Sequence, residues 1–233
     1  MNPNKYPIIA ALDNLEHDEI LPFINNEIPE VPIVKLGLEL FNAYGKALAL
    51  KIERDANKEY FLDLKLHDIP NTVYQAIKGL SGLNPLFLTI HLTGGTKMIE
   101  QALLARDKYL PKTKVLGVSY LTSLSLNEMH EIWGKHQNEL LTNIINLAKK
   151  TAIDGVVCSA ADIQTIKELT KGKIIVTPGI RISGSDKQDQ KRVMSPQEAL
   201  KQGSDFLVIG RPLRDKKQKT EIFNQVKKFY RSQ

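Results

Sequence analysis

The fold class predicted by this sequence is α/β: a closed (β/α)8 TIM barrel, one domain spanning residues 1–233. Three observations predict it. Apolar strand-like runs alternate with amphipathic helix-like stretches along the whole chain, which implies parallel strands joined by right-handed crossovers. Eight such runs fit into 233 residues, a length at which α/β barrels routinely form one domain. The unusual polar residues gather at the carboxyl ends of the runs, where barrels of this kind place their sites.

The elements follow in order. The first strand run is Tyr6 to Asp13, followed by a helix from His17 to Asn26. Val31 to Gly37 is the second strand and Leu38 to Leu50 its helix. The third, Tyr60 to Leu66, leads into a helix from Thr72 to Leu80, with Pro70 where a first helical turn tolerates proline. Leu86 to His91 is the fourth, closed by Thr93-Gly94-Gly95 and followed by a helix from Met98 to Lys108. After the fifth, Lys114 to Ser119, the sequence reads as a polar loop and then a long helix from Asn138 to Lys150. The sixth, Gly155 to Ser159, precedes a helix from Ala161 to Leu169. The seventh, Lys173 to Thr177, precedes a long polar loop from Arg181 to Arg192 and a helix from Pro196 to Gln202. The eighth is Asp205 to Ile209, and a helix from Glu221 to Tyr230 ends the pattern. An open doubly wound sheet is the alternative, but it usually carries a glycine-rich dinucleotide turn after its first strand. Asp13-Asn14-Leu15-Glu16 is not one.

The third strand is the unusual one. Residues two apart share a face of a strand, so Asp63 and Lys65 point one way and Leu62, Leu64 and Leu66 the other. Burying such charges costs several kcal/mol unless they are paired and hydrogen-bonded. Asp68 adds a carboxylate close by, and Thr72 lies four residues on around the helix start. One reading is an exposed edge strand with a surface ion pair. The other is an acid–lysine–acid network at the end of a buried strand, a feature that often marks a functional site.

Other strand ends carry further candidates. Asp13 ends the first strand, Lys35 lies late in the second, His91 ends the fourth, and Thr122 and Ser123 follow the fifth. Pro178-Gly179-Ile180-Arg181 and Ile209-Gly210-Arg211-Pro212 bring glycine and arginine to the ends of the last two strands. Glycine lets backbone approach an anion and arginine binds phosphate through two parallel hydrogen bonds, and barrels recurrently hold phosphate after these strands. Ordinary turns with surface arginines would give the same local pattern.

Composition narrows the classes. The formal charge is +6, but the cations are scattered, and those near the end (Lys216, Lys217, Lys219, Lys227, Lys228, Arg231) read as a solvated helix face. A mild positive bias also suits an anionic small substrate. Cys158 is the only cysteine, so no intramolecular disulfide exists, and its apolar run Gly155-Val156-Val157 places it in a core. The N-terminal residues lack the apolar run of a signal peptide, and no segment is apolar enough to span a bilayer. The expectation is a cytoplasmic protein without membrane or nucleic-acid partners. The histidines His17, His67, His91, His130 and His136 show no zinc-like spacing, so no metal is expected. There is no nucleophile elbow, and Gly94-Gly95 lacks the lysine-containing pattern of a P-loop.

Taken together, Asp63-Leu64-Lys65-Leu66-His67-Asp68-Ile69-Pro70-Asn71-Thr72 closely resembles the signature of the orotidine 5′-phosphate decarboxylase family in its bacterial form. Matching stretches span nearly the whole chain: Ala11-Leu12-Asp13, Val34-Lys35-Leu36-Gly37, His91-Leu92-Thr93-Gly94-Gly95, Leu121-Thr122-Ser123, Pro178-Gly179-Ile180-Arg181, Asp189-Gln190-Lys191-Arg192-Val193 and Ile209-Gly210-Arg211-Pro212. The third-strand signature is specific; the glycine–arginine turns alone are weak. One departure is visible in Ser185-Asp186-Lys187-Gln188-Asp189, where the bacterial pattern usually has a glycine just before Asp-Gln. Related sugar-phosphate decarboxylases and hexulose-phosphate synthases share an Asp-x-Lys-x-x-Asp core. They resemble metal-using enzymes with an acidic residue where this chain has Lys35, and they lack the Ile-Pro-Asn-Thr continuation.

The resemblance implies conversion of orotidine 5′-monophosphate to UMP and CO2 without a cofactor, in de novo pyrimidine synthesis. It implies that Lys65 stabilises and protonates a carbanion at C6, that Asp63 sits near the departing carboxylate, and that Lys35 and Asp68 complete an alternating charge network. It further implies that Asp13 and Lys35 hold ribose hydroxyls, that Thr122 and Ser123 lie near the pyrimidine, and that Gln190, Gly210 and Arg211 hold the phosphate with Arg181 nearby. Asp68 and Thr72 would reach into a neighbouring subunit's site, which implies a homodimer. The alternatives are a metal-dependent sugar-phosphate enzyme, distinguished by its response to EDTA, and a phosphate- or nucleic-acid-binding barrel, distinguished by salt-dependent binding without turnover.

Overall fold

Strands β1 (Ile8–Ala11), β2 (Ile33–Gly37), β3 (Glu59–Leu66), β4 (Phe87–His91), β5 (Lys114–Val118), β6 (Gly155–Val157), β7 (Ile174–Thr177) and β8 (Phe206–Ile209) pair in sequence order, all parallel, in a computed structural model that describes residues 6–182 and 194–232. β8 returns to β1, with Ile9 opposite Val208, and closes the barrel. Both faces of each strand are covered, which is why the strands are nearly continuous apolar runs. Alternate residues divide between two cores. Ile9, Ile33, Phe61, Phe87, Leu116, Val118, Val157, Val176 and Val208 fill the barrel interior. Ile8, Ala10, Val34, Leu36, Leu62, Leu88 and Ile90 face outward into the layer packed by the helices. Phe87 is the centre of an aromatic cluster inside the barrel, edge-on to Phe61 at 5.8 Å and to Phe206 at 5.3 Å between ring centroids.

The helices are α1 (His17–Pro22), α2 (Leu38–Ala56), α3 (Pro70–Gly79), α4 (Gly95–Tyr109), α5 (Leu126–Trp133), α6 (Gln137–Lys150), α7 (Ile163–Leu169), α8 (Pro196–Gln202) and α9 (Lys216–Arg231). α1 passes into a single π-helical turn, Phe23–Glu27. α3 begins on Pro70, as its fixed φ and missing N–H favour. α2 outruns the predicted Leu38 to Leu50 and is broken at Gly45, whose φ of 57° a side chain would resist. α9 starts before the predicted Glu221 because the Asp215 carboxylate accepts from the Gln218 N–H at 2.7 Å and caps it. Its lysines Lys216, Lys217, Lys227 and Lys228 are exposed, while Ile222, Phe223, Val226 and Phe229 face the core. That is the solvated helix face the sequence suggested, except at Lys219, which is half-buried and pairs with Glu27 Oε2 at 2.9 Å.

One element differs in kind. The stretch after β5, expected as a polar loop, contains α5. Ser125 and Glu128 form a reciprocal capping box, with the Ser125 N–H donating to Glu128 Oε2 at 2.7 Å, and Gly134 ends the helix at φ 63°.

Candidate active site

The carboxyl ends of the strands surround a cavity of about 480 Å³. Its floor is apolar, formed by Phe61, Val118, Val157 and Val208 of the barrel interior. Its polar wall begins with four charged side chains from three neighbouring strand ends. Lys35 Nζ lies 2.8 Å from Asp13 Oδ2 and 3.6 Å from Asp63 Oδ2. Lys65 Nζ donates to Asp63 Oδ2 at 2.7 Å. The charges therefore alternate in the order Asp13, Lys35, Asp63, Lys65. They are not a surface pair: the side chains of Lys35 and Asp63 are 9% and 12% exposed, those of Lys65 and Asp13 29% and 31%.

Local backbone makes this possible. Ladder pairing of β3 with β4 shifts register between Leu62 and Leu66, and inside that irregularity Lys65 adopts φ 46°. A lysine in the left-handed region costs about 1 kcal/mol or more, and such residues cluster at functional sites. Lys65 and Asp63 do meet, as alternation along a strand suggests, but through a bulged strand and not a regular one. The Lys65 N–H donates to Thr89 Oγ1 at 2.9 Å, and the Thr89 hydroxyl donates to Asp63 Oδ1 at 2.9 Å. Thr89, fully buried on β4, thus secures both the strained backbone and the carboxylate beside it. On β2, Gly37 leaves room for the pair behind it; a Cβ there would collide with Asp13 Oδ1 and approach Lys35 Nζ to 2.9 Å.

Electrostatics follow the pairing. Burial alone would raise the Asp63 carboxyl, but Lys35, Lys65 and the hydrogen bonds from Lys65 and Thr89 outweigh it and hold it below the usual carboxylate range. His91 at the end of β4 is pushed down to about 4, first by burial and then by the nearby His67 and Lys65, with Asp63 opposing. It is therefore neutral near pH 7, with its ring 5.1 Å from that of His67. Cys158 is fully buried and burial pushes its thiol up, the state of a core residue. Among the described residues, no three His, Cys, Asp or Glu side chains gather in a metal-binding arrangement.

The remaining wall of the cavity is polar. Tyr120, Leu121, Thr122 and Ser123 border it after β5, Pro178, Gly179 and Arg181 after β7, and Gly210 and Arg211 after β8. Arg211 begins a 3-10 turn, Arg211–Leu213. Arg181 sits beside the bridge between Ile180 and Met194, where its N–H donates to Met194 O at 3.0 Å. Gln190, with most of the Arg181 to Arg192 loop and the Asp189-to-Val193 motif, lies outside the described residues.

Asp68 and Thr72 do not join the cluster of their own chain. Both are exposed at the start of α3, and Asp68 Oδ1 accepts from the Ile69 N–H at 2.7 Å. Sequence reasoning missed Thr89, which stands out only as a hydroxyl in an otherwise apolar strand, Phe87-Leu88-Thr89-Ile90. It also missed Arg214, whose guanidinium donates to the carbonyls of Asp13 and Asn14 and joins the turn after β8 to the end of β1. No local pattern announces that contact, because its partners lie 200 and 201 residues away.

Comparison with known proteins gives this arrangement a lineage. The sequence model of the orotidine 5′-phosphate decarboxylase / HUMPS family matches residues 6–226. The chain belongs to that family. Among orotidine 5′-phosphate decarboxylase / HUMPS relatives, a protein of Wolbachia sp. subsp. Brugia malayi named orotidine 5′-phosphate decarboxylase is 41% identical over 210 residues, covering 89% of this chain and 91% of that one. One of Staphylococcus epidermidis with the same name is 39% identical, covering 96% and 98%. The crystal structure of orotidine 5′-phosphate decarboxylase from Lactobacillus acidophilus superposes with a TM-score of 0.81 at 31% identity, covering 96% of this chain and 99% of that one. Among the described residues, no helix is long and apolar enough to cross a membrane.

Proposed function

We propose that the protein converts orotidine 5′-monophosphate to UMP and CO2 in pyrimidine biosynthesis, with no cofactor, and that Lys65 stabilises and protonates the C6 carbanion. The observation that carries the reading is the Lys65 ammonium, held by Asp63 at 2.7 Å on the edge of a cavity with an apolar floor. The family's named relatives support the choice of substrate.

In this reading the bond between C6 and the carboxylate carbon breaks and its electron pair stays on C6. CO2 leaves, and a proton from Lys65 Nζ replaces it, so that Lys65 is neutral until it regains a proton from water. A cation fixed at the developing charge needs no reorganisation during the reaction, the main source of electrostatic catalysis, and the same group serves as general acid. Asp63 keeps the lysine in place and lies near the departing carboxylate, while Lys35 balances Asp63 from the other side. Because both carboxylates of the cluster already face lysines, the site is charge-balanced without a metal ion. This favours the nucleotide reaction over the metal-using chemistry of the related sugar-phosphate enzymes.

Asp13 and Lys35 hold ribose hydroxyls, and Thr122 and Ser123 meet the pyrimidine. Gln190, Gly210 and Arg211 hold the phosphate, with Arg181 beside them. Binding energy from that remote phosphate is available to organise the reacting end. Asp68 and Thr72 act in the site of a second copy in a homodimer; their exposure at the start of α3 supports this placement. The working enzyme is a cytoplasmic single barrel without nucleic-acid or membrane partners.

The test follows loss of orotidine 5′-monophosphate absorbance in excess EDTA. The wild-type protein is expected to turn over. Lys65→Ala is expected to lose at least about three orders of magnitude in kcat while still binding UMP, since it removes both the fixed charge and the general acid. Near-normal turnover by the variant would remove Lys65 from its role, and inhibition of the wild type by EDTA would favour the metal-using alternative.

A further inference from the structure

A second buried carboxylate, outside the charge cluster, has no part in the chemistry above. Asp162 ends the 3-10 turn Ala160–Asp162 after β6 and is 4% exposed. Three neutral groups donate to it: the Tyr120 hydroxyl and Ser159 Oγ, each to Oδ2 at 2.6 Å, and Gln137 Nε2 to Oδ1 at 2.9 Å. Gln137 Nε2 also donates to the Tyr120 oxygen at 3.1 Å, which closes the network. A buried carboxylate persists when its lone pairs are filled in this way.

The places of these donors in the chain give the network its meaning. Tyr120 lies two residues beyond β5, and Gln137 is the first residue of α6. Between them runs the excursion 121–136, which contains α5 and, near its start, Thr122 and Ser123 on the cavity wall. One carboxylate on the neighbouring β6–α7 connection thus fastens both ends of that excursion. Tyr120 itself borders the cavity although the residue is only 2% exposed, so the fastening reaches the wall directly.

We propose that Asp162, acting through Tyr120 and Gln137, is a positioning residue for the wall that carries Thr122 and Ser123, and so sets how firmly the pyrimidine is held. This rests on the reading that the cavity takes orotidine 5′-monophosphate with its base against that wall. Lys35, Asp63 and Lys65 stand on β2 and β3 and do not bond to this network. Loosening it acts on substrate affinity more than on the chemical step.

Two variants test the proposal. Tyr120→Phe removes one hydroxyl and keeps the ring; Asp162→Asn replaces an acceptor pair with an amide that cannot accept from all three donors at once. Trp133, the only tryptophan in the chain, lies on α5 inside the excursion and reports its order. Both variants are expected to raise KM by about tenfold with kcat within about threefold. Both should also make Trp133 more readily quenched by acrylamide, with unchanged far-UV circular dichroism. Wild-type KM and Trp133 quenching in folded Tyr120→Phe would overturn the proposal. So would a fall in kcat and thermal stability at unchanged KM, the mark of a merely structural role. Should Asp162→Asn fail to fold, Tyr120→Phe decides alone. Failure of the wild type to decarboxylate would overturn the functional reading instead, leaving Trp133 quenching to decide whether Asp162 fastens this wall.

Discussion

At the scale of single residues, the site depends on compensation. Asp63 is held ionised in a buried position by two lysines and a threonine hydroxyl. Removing one lysine leaves Asp63 with the other and the Thr89 hydroxyl, so the carboxylate stays partly compensated and the loss is smaller than the cost of breaking a lone buried ion pair. His91 carries the opposite burden, because its environment disfavours the charged form. An unfolded histidine titrates near pH ~6.5, while the folded His91 is pushed down to about 4. Between those values the unfolded chain binds the proton and the folded one does not. Stability is therefore unaffected by His91 above about pH 6.5, falls progressively from there to about 4, and carries the full loss below. His91→Gln is expected to shrink the drop in urea midpoint between pH 7 and pH 4.5. An undiminished drop would show that His91 is not the group responsible. Asp63 contributes at lower pH: its stabilisation is present above the unfolded carboxylate value near ~3.9 and is lost as pH falls through its depressed folded value.

At the scale of elements, legibility followed how local the cause is. Strands covered on both faces announce themselves as apolar runs, so seven of the eight fall inside the stretches that alternation suggests, and β3 starts one residue early, on the exposed Glu59; Tyr6 and Asp13, for example, lie just outside β1. The start of α3 was readable from Pro70 alone. α5 was equally local, with Ser125 and Glu128 at capping-box spacing and Gly134 at its end, but the polar residues around it obscured apolar Leu126, Met129 and Trp133. The bulge in β3 was not legible. Nothing in Leu62-Asp63-Leu64-Lys65 specifies a positive φ at a lysine; the hydrogen bond from its N–H to Thr89, on the next strand, stabilises that conformation. Likewise the Asp13–Lys35 contact is suggested by two charges at strand ends, whereas Arg214 behind Asp13 and Asn14 is visible only once the barrel closes.

At the scale of the whole molecule, closure of the barrel is what turns separate strand ends into one site. Lys35 of β2 and Lys65 of β3 can share Asp63 because those strands are neighbours in the ladder, with Gly37 opposite Asp63. The glycine–arginine turn after β8 comes beside Asp13 because β8 pairs with β1. Asp68 is exposed and makes no ion pair with Lys35 or Lys65 of its own chain, and the shared site proposed for it can be tested directly. In a two-fold dimer with shared sites, a heterodimer of Asp68→Asn and Lys65→Ala chains has one doubly altered site and one intact site. Verified heterodimers should then recover about half the wild-type rate, although each parent homodimer is impaired. Heterodimers no more active than the parents would contradict sharing.

The most direct test of the central claim is to run the reaction in D2O with EDTA and read the UMP product by mass and NMR. Wild-type protein is predicted to give UMP with one deuterium at C6, and Lys65→Ala to give essentially none. Labelled UMP formed by Lys65→Ala at the wild-type rate, or no UMP from the wild type, would contradict the account.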